Sequence, residues 1–183
     1  MGMGVPALIL SPSLILSPAL FLCDQGIRED WLTVGVMYVQ TMVMVNALTE
    51  LAKGSVQRTR PYMYNPDVPL SEKLGADSRK SFFSGHTSNA FAPAVFAATV
   101  FGDYFPESKW KWAVWTVGLS AAAASGYLRY RAGMHFPTDI ITGAVVGSAV
   151  GYLVPYFHRT ARRNVGLSAS PETGTGISVT LRF

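Results

Sequence analysis

The chain has 183 residues, 49% of them apolar and only 14% charged, with a formal net charge of +4. That length suits one domain, which either buries a full core or crosses a bilayer several times; the shortage of charge, against roughly a quarter in ordinary soluble domains, favours a membrane setting. Basic residues gather around Lys53–Arg60 and Arg129, which argues for a local anion and against a nucleic-acid surface, and the single cysteine, Cys23, excludes an internal disulfide.

The front of the chain repeats a hexad, "PALILS", "PSLILS", "PALFLC", starting at Pro6, Pro12 and Pro18. Proline every sixth residue removes helix hydrogen bonds, and a period of six matches neither helix nor strand. For residues 1–29 a membrane span and a non-spanning segment therefore both stay open. Four apolar segments follow, Trp31–Leu51, His86–Phe105, Trp112–Leu128 and Asp139–Phe157, each close to the ~20 residues that span a hydrocarbon core. Two carry small residues four apart, Gly118/Ala122/Gly126 and Gly143/Gly147/Gly151, a spacing that lets helix backbones approach closely. On this pattern alanine at Gly143 should be far better tolerated than leucine.

Between the first two segments lies a polar loop, Lys53–Ser81, with Pro61, Asn65, Pro66, Pro69 and Gly75, which belongs outside a membrane. Alternating spans put this loop and the Arg129–Thr138 turn on one side, and "SKWK" and "HRTARR" on the other. Arg159, Arg162 and Arg163 mark that second side as cytoplasmic. Residues 30–158 thus read as the helical domain and 159–183 as a polar tail. The tail ends in "GISVTLRF", whose apolar residues alternate as in a strand, either a loose end or an edge strand.

Three polar clusters share the loop side: "KGSVQRTRP", "FSGH" and "RYRAGMHFPTD". Singly each has an ordinary explanation, since Lys53 and Arg60 can anchor a span end, Ser84-Gly85 can cap a helix, and His86 can be a surface histidine. His135 and Asp139, however, are four apart at a helix start, so both lie on one face and can hydrogen-bond. A carboxylate bound to one ring nitrogen aims the other's lone pair outward, as in hydrolases that use a nucleophile and an orienting group. Lys53, Arg60 and Arg129 supply permanent cations, and the amides near Gly85 stand at a helix N-terminus, together a setting for a phosphate. No cluster has metal-ligand spacing. Fixed cations can replace a divalent ion, so neither metal nor cofactor is expected.

The order and spacing Lys53-x6-Arg60-Pro61, Ser84-Gly85-His86, Arg129-x5-His135-x3-Asp139 resembles the type 2 phosphatidic acid phosphatase superfamily, which includes lipid phosphate phosphatases, soluble bacterial acid phosphatases and vanadium haloperoxidases. The resemblance covers Thr49–His158. It implies an all-α fold, a membrane helical bundle of about four to five core helices. It also implies that His135 is a nucleophile forming a phosphohistidine, Asp139 its orienter and His86 the general acid and base, with Lys53, Arg60, Ser84, Gly85 and Arg129 holding the phosphoryl group. Two positions depart from the family pattern: Phe83 stands for the usual Pro, and Leu128 for a Ser whose hydroxyl can contact phosphate. Membrane members commonly have six helices with the first motif after the third, so the front reads as short, with the hexads replacing part of it or a truncation. The implied activity is metal-independent hydrolysis of a lipid phosphate or diphosphate monoester by a multi-pass protein, of a bacterial inner membrane, with the site facing the periplasm or exterior. Its implied partners are the lipid substrate and the membrane, with no nucleic acid. Alternatives are a soluble or peripheral acid phosphatase, a haloperoxidase, and a catalytically silent membrane scaffold.

Overall fold

A computed structural model describes residues 30–75, 77–169 and 177–181; the hexad repeat lies outside the described residues. Four long helices carry the fold: α1 (Trp31–Val56), α2 (Gly85–Tyr104), α3 (Lys111–Arg131) and α4 (Pro137–Asn164). A 3-10 turn at Pro61–Tyr64 and one helical turn at Leu70–Lys73 interrupt the α1–α2 loop. The chain is an all-α bundle, and each expected apolar segment forms a helix at its expected place; the starts agree to within two residues, while α1, α3 and α4 run on past the expected ends to Val56, Arg131 and Asn164.

Helix α2 lies at the centre because its side chains are small. Ala90, Ala92, Ala94, Ala97 and Ala98 are all buried, which allows neighbours to close in on several sides at once. Val34, Met37 and Val45 of α1 join Ala92, Phe96 and Val100 of α2 and Val150 and Val154 of α4 in one cluster; Ala122 of α3 packs on Ala90 and Ala94. Contact with α4 is backbone to backbone: a Cβ on Gly143 would stand 2.6 Å from the Ser84 carbonyl oxygen, and one on Gly147 2.5 Å from that of Ser88. Real Cβ atoms do not come that close to a carbonyl, so even alanine at Gly143 must push the two backbones apart. The small-residue spacing located the contact, but its tightness depends on the backbone opposite.

The outer surface inverts a soluble protein's pattern. Along α1, Val36, Val39, Val43 and Leu51 are exposed while Thr41 and Thr49 are buried, with each threonine hydroxyl satisfied by the carbonyl four residues back. Such an exterior suits hydrocarbon, where apolar surface carries no penalty and polar groups must be satisfied internally. Trp31–Tyr64 and Pro137–Arg159 are long and apolar enough to cross a bilayer among the described residues. The sequence reading took α2 and α3 as spans too; most of α2 is buried by its neighbours.

At one end of the bundle Arg159 Nη1 bonds Asp103 Oδ1 at 2.6 Å, and the Tyr104 hydroxyl donates to Asp30 Oδ2 at 2.9 Å. Helix α4 continues to Asn164, past the expected end at Phe157, and leads into β1 (Val165–Ala169), which pairs antiparallel with β2 (Ile177–Leu181), Val165 opposite Leu181. The alternating segment is thus a strand, and its partner is a stretch whose composition reads as linker.

Candidate active site

The other end gathers the C-termini of α1 and α3, the N-termini of α2 and α4, and the α1–α2 loop. Lys53, on the last turn of α1, bonds Glu50 Oε1 at 2.8 Å. It lies against the start of α2 because Gly85 has no side chain: a Cβ there would be 3.0 Å from Thr49 Cγ2 and 3.4 Å from Lys53 Nζ. One turn deeper the Thr49 and Ser88 hydroxyls, 3.2 Å apart, fasten α1 to α2.

Ser84 is fully buried and caps α2, its Oγ accepting from the Thr87 amide at 3.4 Å and the Thr87 hydroxyl at 2.8 Å. Those bonds leave its own proton for another acceptor. Its amide donates to the Asp139 carbonyl at 3.0 Å, which locks the starts of α2 and α4 together.

The turn from α3 into α4 is set by Gly133, at φ 65°, a left-handed conformation that costs glycine little. Gly133 N bonds the Tyr130 carbonyl and Met134 N that of Arg129, the Schellman pattern that ends a helix and reverses the chain. His135 follows at once. The loop is sewn to this turn by Tyr62 N on the Gly133 carbonyl at 3.0 Å, and Arg60 is held by Nε on the Asp77 carbonyl at 2.8 Å and by Nη1 near Met134 Sδ at 3.5 Å. The charges of Arg129, Lys53 and Arg60 all act on the His86 ring, and those of Arg60 and His86 on His135. The structure therefore brings both histidines and the three cations of the motifs to one place.

Asp139 is fully buried and close to His135, but the expected direct bond is not made. His135 Nδ1 is 2.8 Å from the Ser81 backbone carbonyl and 3.9 Å from Asp139 Oδ2. Stronger donors hold the carboxylate: Arg58 Nη1 at 2.6 Å on Oδ1, and on Oδ2 the Ser81 hydroxyl at 2.5 Å and the Phe136 amide at 3.0 Å. Because a carbonyl only accepts, Nδ1 carries the proton and Nε2 the lone pair. The outcome matches the one expected of a His–Asp pair, but a different acceptor produces it. Burial of the His135 ring, helped by the positive charge of Arg60 and by His86, lowers its pKa from 6.5 to about 4, against the opposing pull of the Ser81 carbonyl and Asp139. At neutral pH the imidazole is uncharged, with the Nε2 lone pair free of a proton.

Sequence reasoning missed Arg58 and Ser81. Arg58 stands in the basic run two residues before Arg60 and outside the motif spacing; Ser81 acts partly through its carbonyl, which no residue type advertises. Of the two departures from the motif pattern, Phe83 is buried, whereas Leu128 is 64% exposed on α3 and offers no polar contact. Among the described residues no three His, Cys, Asp or Glu side chains converge as a metal-ligand set.

Known proteins resemble this chain in sequence and in fold. The chain is 38% identical over 138 residues to a lipid A 4'-phosphatase of Porphyromonas gingivalis, covering 74% of this chain and 55% of that protein. It is 29% identical over 121 residues to an undecaprenyl-diphosphatase of Sulfolobus acidocaldarius, covering 66% of this chain and 53% of that protein. The chain thus spans about half the length of these curated relatives. The crystal structure of a transmembrane PAP2 type phosphatidylglycerolphosphate phosphatase from Bacillus subtilis superposes with a TM-score of 0.65 at 26% identity, covering 88% of this chain and 74% of that one. The PAP2 superfamily model matches residues 34–163, a stretch that takes in nearly all of the four helices and every residue of the cluster, and the chain belongs to that superfamily.

Proposed function

We propose that this protein is a membrane-embedded phosphatase that hydrolyses a lipid phosphate or diphosphate monoester through a phosphohistidine, without a metal. The observation that carries the reading is a buried, neutral His135 whose Nδ1–H is fixed on the Ser81 carbonyl, beside His86 and three permanent cations. Relatives named as phosphatases of lipid A and undecaprenyl diphosphate support a lipid substrate, and the apolar exterior supports a bilayer around the bundle.

In the first step His135 Nε2 attacks phosphorus, an N–P bond forms, and the P–O bond to the leaving group breaks as His86 delivers a proton to that oxygen. In the second, His86 takes a proton from water, the hydroxide attacks phosphorus, and the N–P bond breaks to release inorganic phosphate and neutral His135. Lys53, Arg60 and Arg129, with the Ser84 hydroxyl and the amides at the start of α2, stabilise the charge on the equatorial oxygens. The reading extends to placement in a bacterial inner membrane with this end outside, Arg159 lying at the opposite, cytoplasmic end.

The test is phosphate release by the detergent-solubilised full chain from phosphatidic acid, phosphatidylglycerophosphate and a polyprenyl diphosphate, beside a water-soluble aryl phosphate without detergent. Turnover on a lipid that exceeds the soluble ester supports the reading; no release from any lipid overturns it. Activity should survive EDTA and be blocked by vanadate, which mimics the pentacoordinate phosphoryl centre. Loss with EDTA and recovery with magnesium would refute metal independence. Because protonation removes the attacking lone pair of His135 but supplies the proton that His86 must deliver, kcat/KM should hold or rise as pH falls through 6 and drop only near pH 4, where His135 titrates. A pH–rate profile checks this, and an acid limb with a midpoint above pH 6 that stays in place when the substrate is changed would remove His135 from the role.

A further inference from the structure

Arg58, Ser81, Asp139 and His135 form a closed ring of contacts that the reaction as described does not require. The Arg58 carbonyl accepts from the Ser81 amide at 3.0 Å, and the Arg58 side chain reaches the first turn of α4, with Nη1 on Asp139 Oδ1 at 2.6 Å and on Thr138 Oγ1 at 2.7 Å. Its guanidinium carbon sits 4.2 Å from the centre of the Phe136 ring. Ser81 turns both of its polar ends inward: its hydroxyl to Asp139 and its carbonyl to His135. Ser81 is fully buried, as is Asp139.

We infer that Arg58 and Ser81 are positioning residues for the nucleophile: Arg58 neutralises Asp139, the neutralised carboxylate holds the Ser81 hydroxyl, and this fixes the Ser81 carbonyl that keeps His135 in its reactive tautomer and orientation. Two consequences distinguish this from a structural ion pair. With Arg58 in place, Asp139 is a matched charge and only weakly stabilises an imidazolium 3.9 Å away. Without it, an unmatched carboxylate faces His135 inside the protein and favours the protonated ring. The charged and titratable groups that also face His135 are Arg60 and His86, and neither changes in the variants below. Both Arg58 side-chain bonds leave from one nitrogen, Nη1, so a lysine ammonium can replace them, unlike at a two-pronged guanidinium site.

The inference rests on the phosphatase reading, so its experiment has one arm that needs no turnover. The chain has three histidines, and isotope-labelled histidine resolves their ring resonances by NMR in detergent. Arg58→Gln should raise the His135 titration midpoint by about one on the pH scale, the scale of an opposite charge within a few ångströms. Arg58→Lys should leave it near the wild-type value, and adding Asp139→Asn to Arg58→Gln should cancel the rise. In the activity arm, phosphate release from phosphatidic acid micelles by Arg58→Gln and Ser81→Ala should show kcat about 10- to 100-fold lower with little change in KM, as for a misplaced reacting group. Arg58→Lys should recover most of the loss. An unchanged midpoint in Arg58→Gln overturns the inference whether or not kcat falls, since a drop in rate alone would mark a structural residue. A wild-type chain that releases no phosphate would instead overturn the phosphatase reading and leave the titration to decide this one.

Discussion

Alanine at His135 should lower phosphate release by ~10⁴-fold or more and abolish any phosphoenzyme, the scale of loss when a covalent nucleophile is removed. Nothing nearby can substitute. In the proposed mechanism His86 has a different duty, and of the other groups facing the ring Arg60 is a cation with no lone pair to offer while Asp139 is held by Arg58 and the Ser81 hydroxyl. His86→Ala should fail in another way, by about 10²- to 10⁴-fold on alkyl phosphates, with most of the loss recovered on an aryl phosphate whose leaving group needs no proton. Rapid quenching with radiolabelled substrate separates the two. In the wild type and in His86→Ala the label should sit on protein in a form that acid removes and alkali does not; in His135→Ala there should be none. Full turnover in His135→Ala, or an acid-stable adduct in the wild type, would refute the assignment.

The second large effect is expected from one methyl group. Gly143→Ala places a Cβ 2.6 Å from the Ser84 carbonyl oxygen, and neither partner can swing aside, because Gly143 is helix backbone and the Ser84 carbonyl accepts from the Ser88 amide in the first turn of α2. Overpacking of this kind costs about 1–3 kcal/mol, or roughly 2–12 °C in midpoint for a chain of this size. The rate should suffer more than the stability. Ser84 starts the helix that carries His86, and its amide bonds the Asp139 carbonyl, so pushing α4 away separates the two histidines; a shift near 1 Å can cost about a hundredfold. Gly35 is the matched control, since a Cβ there meets nothing within 4 Å and alanine should be neutral or mildly stabilising in a helix. Thermal unfolding and turnover of both variants in detergent decide the matter. Equal behaviour of Gly143→Ala and Gly35→Ala would show that the backbones are not in contact.

The four helices could be anticipated because their apolar runs and polar interruptions are local properties, set by the composition of some twenty consecutive residues. The motif side chains were legible for a related reason: cations and histidines carry their chemistry in the side chain, so their order along the chain can be read directly, although His135 stands in the turn before α4 and not on the helix with Asp139. What could not be anticipated depends on which distant atoms end up opposite one another. The acceptor for His135 comes from Ser81, 54 residues away, and it prevails over Asp139 because Arg58 and the Ser81 hydroxyl bind that carboxylate more strongly than a neutral imidazole can. Arg58 differs from an interfacial anchor only by what it touches. The intolerance of Gly143 to a methyl group likewise comes from a carbonyl on another helix, since packing is a relation between two surfaces and no stretch of one chain contains both.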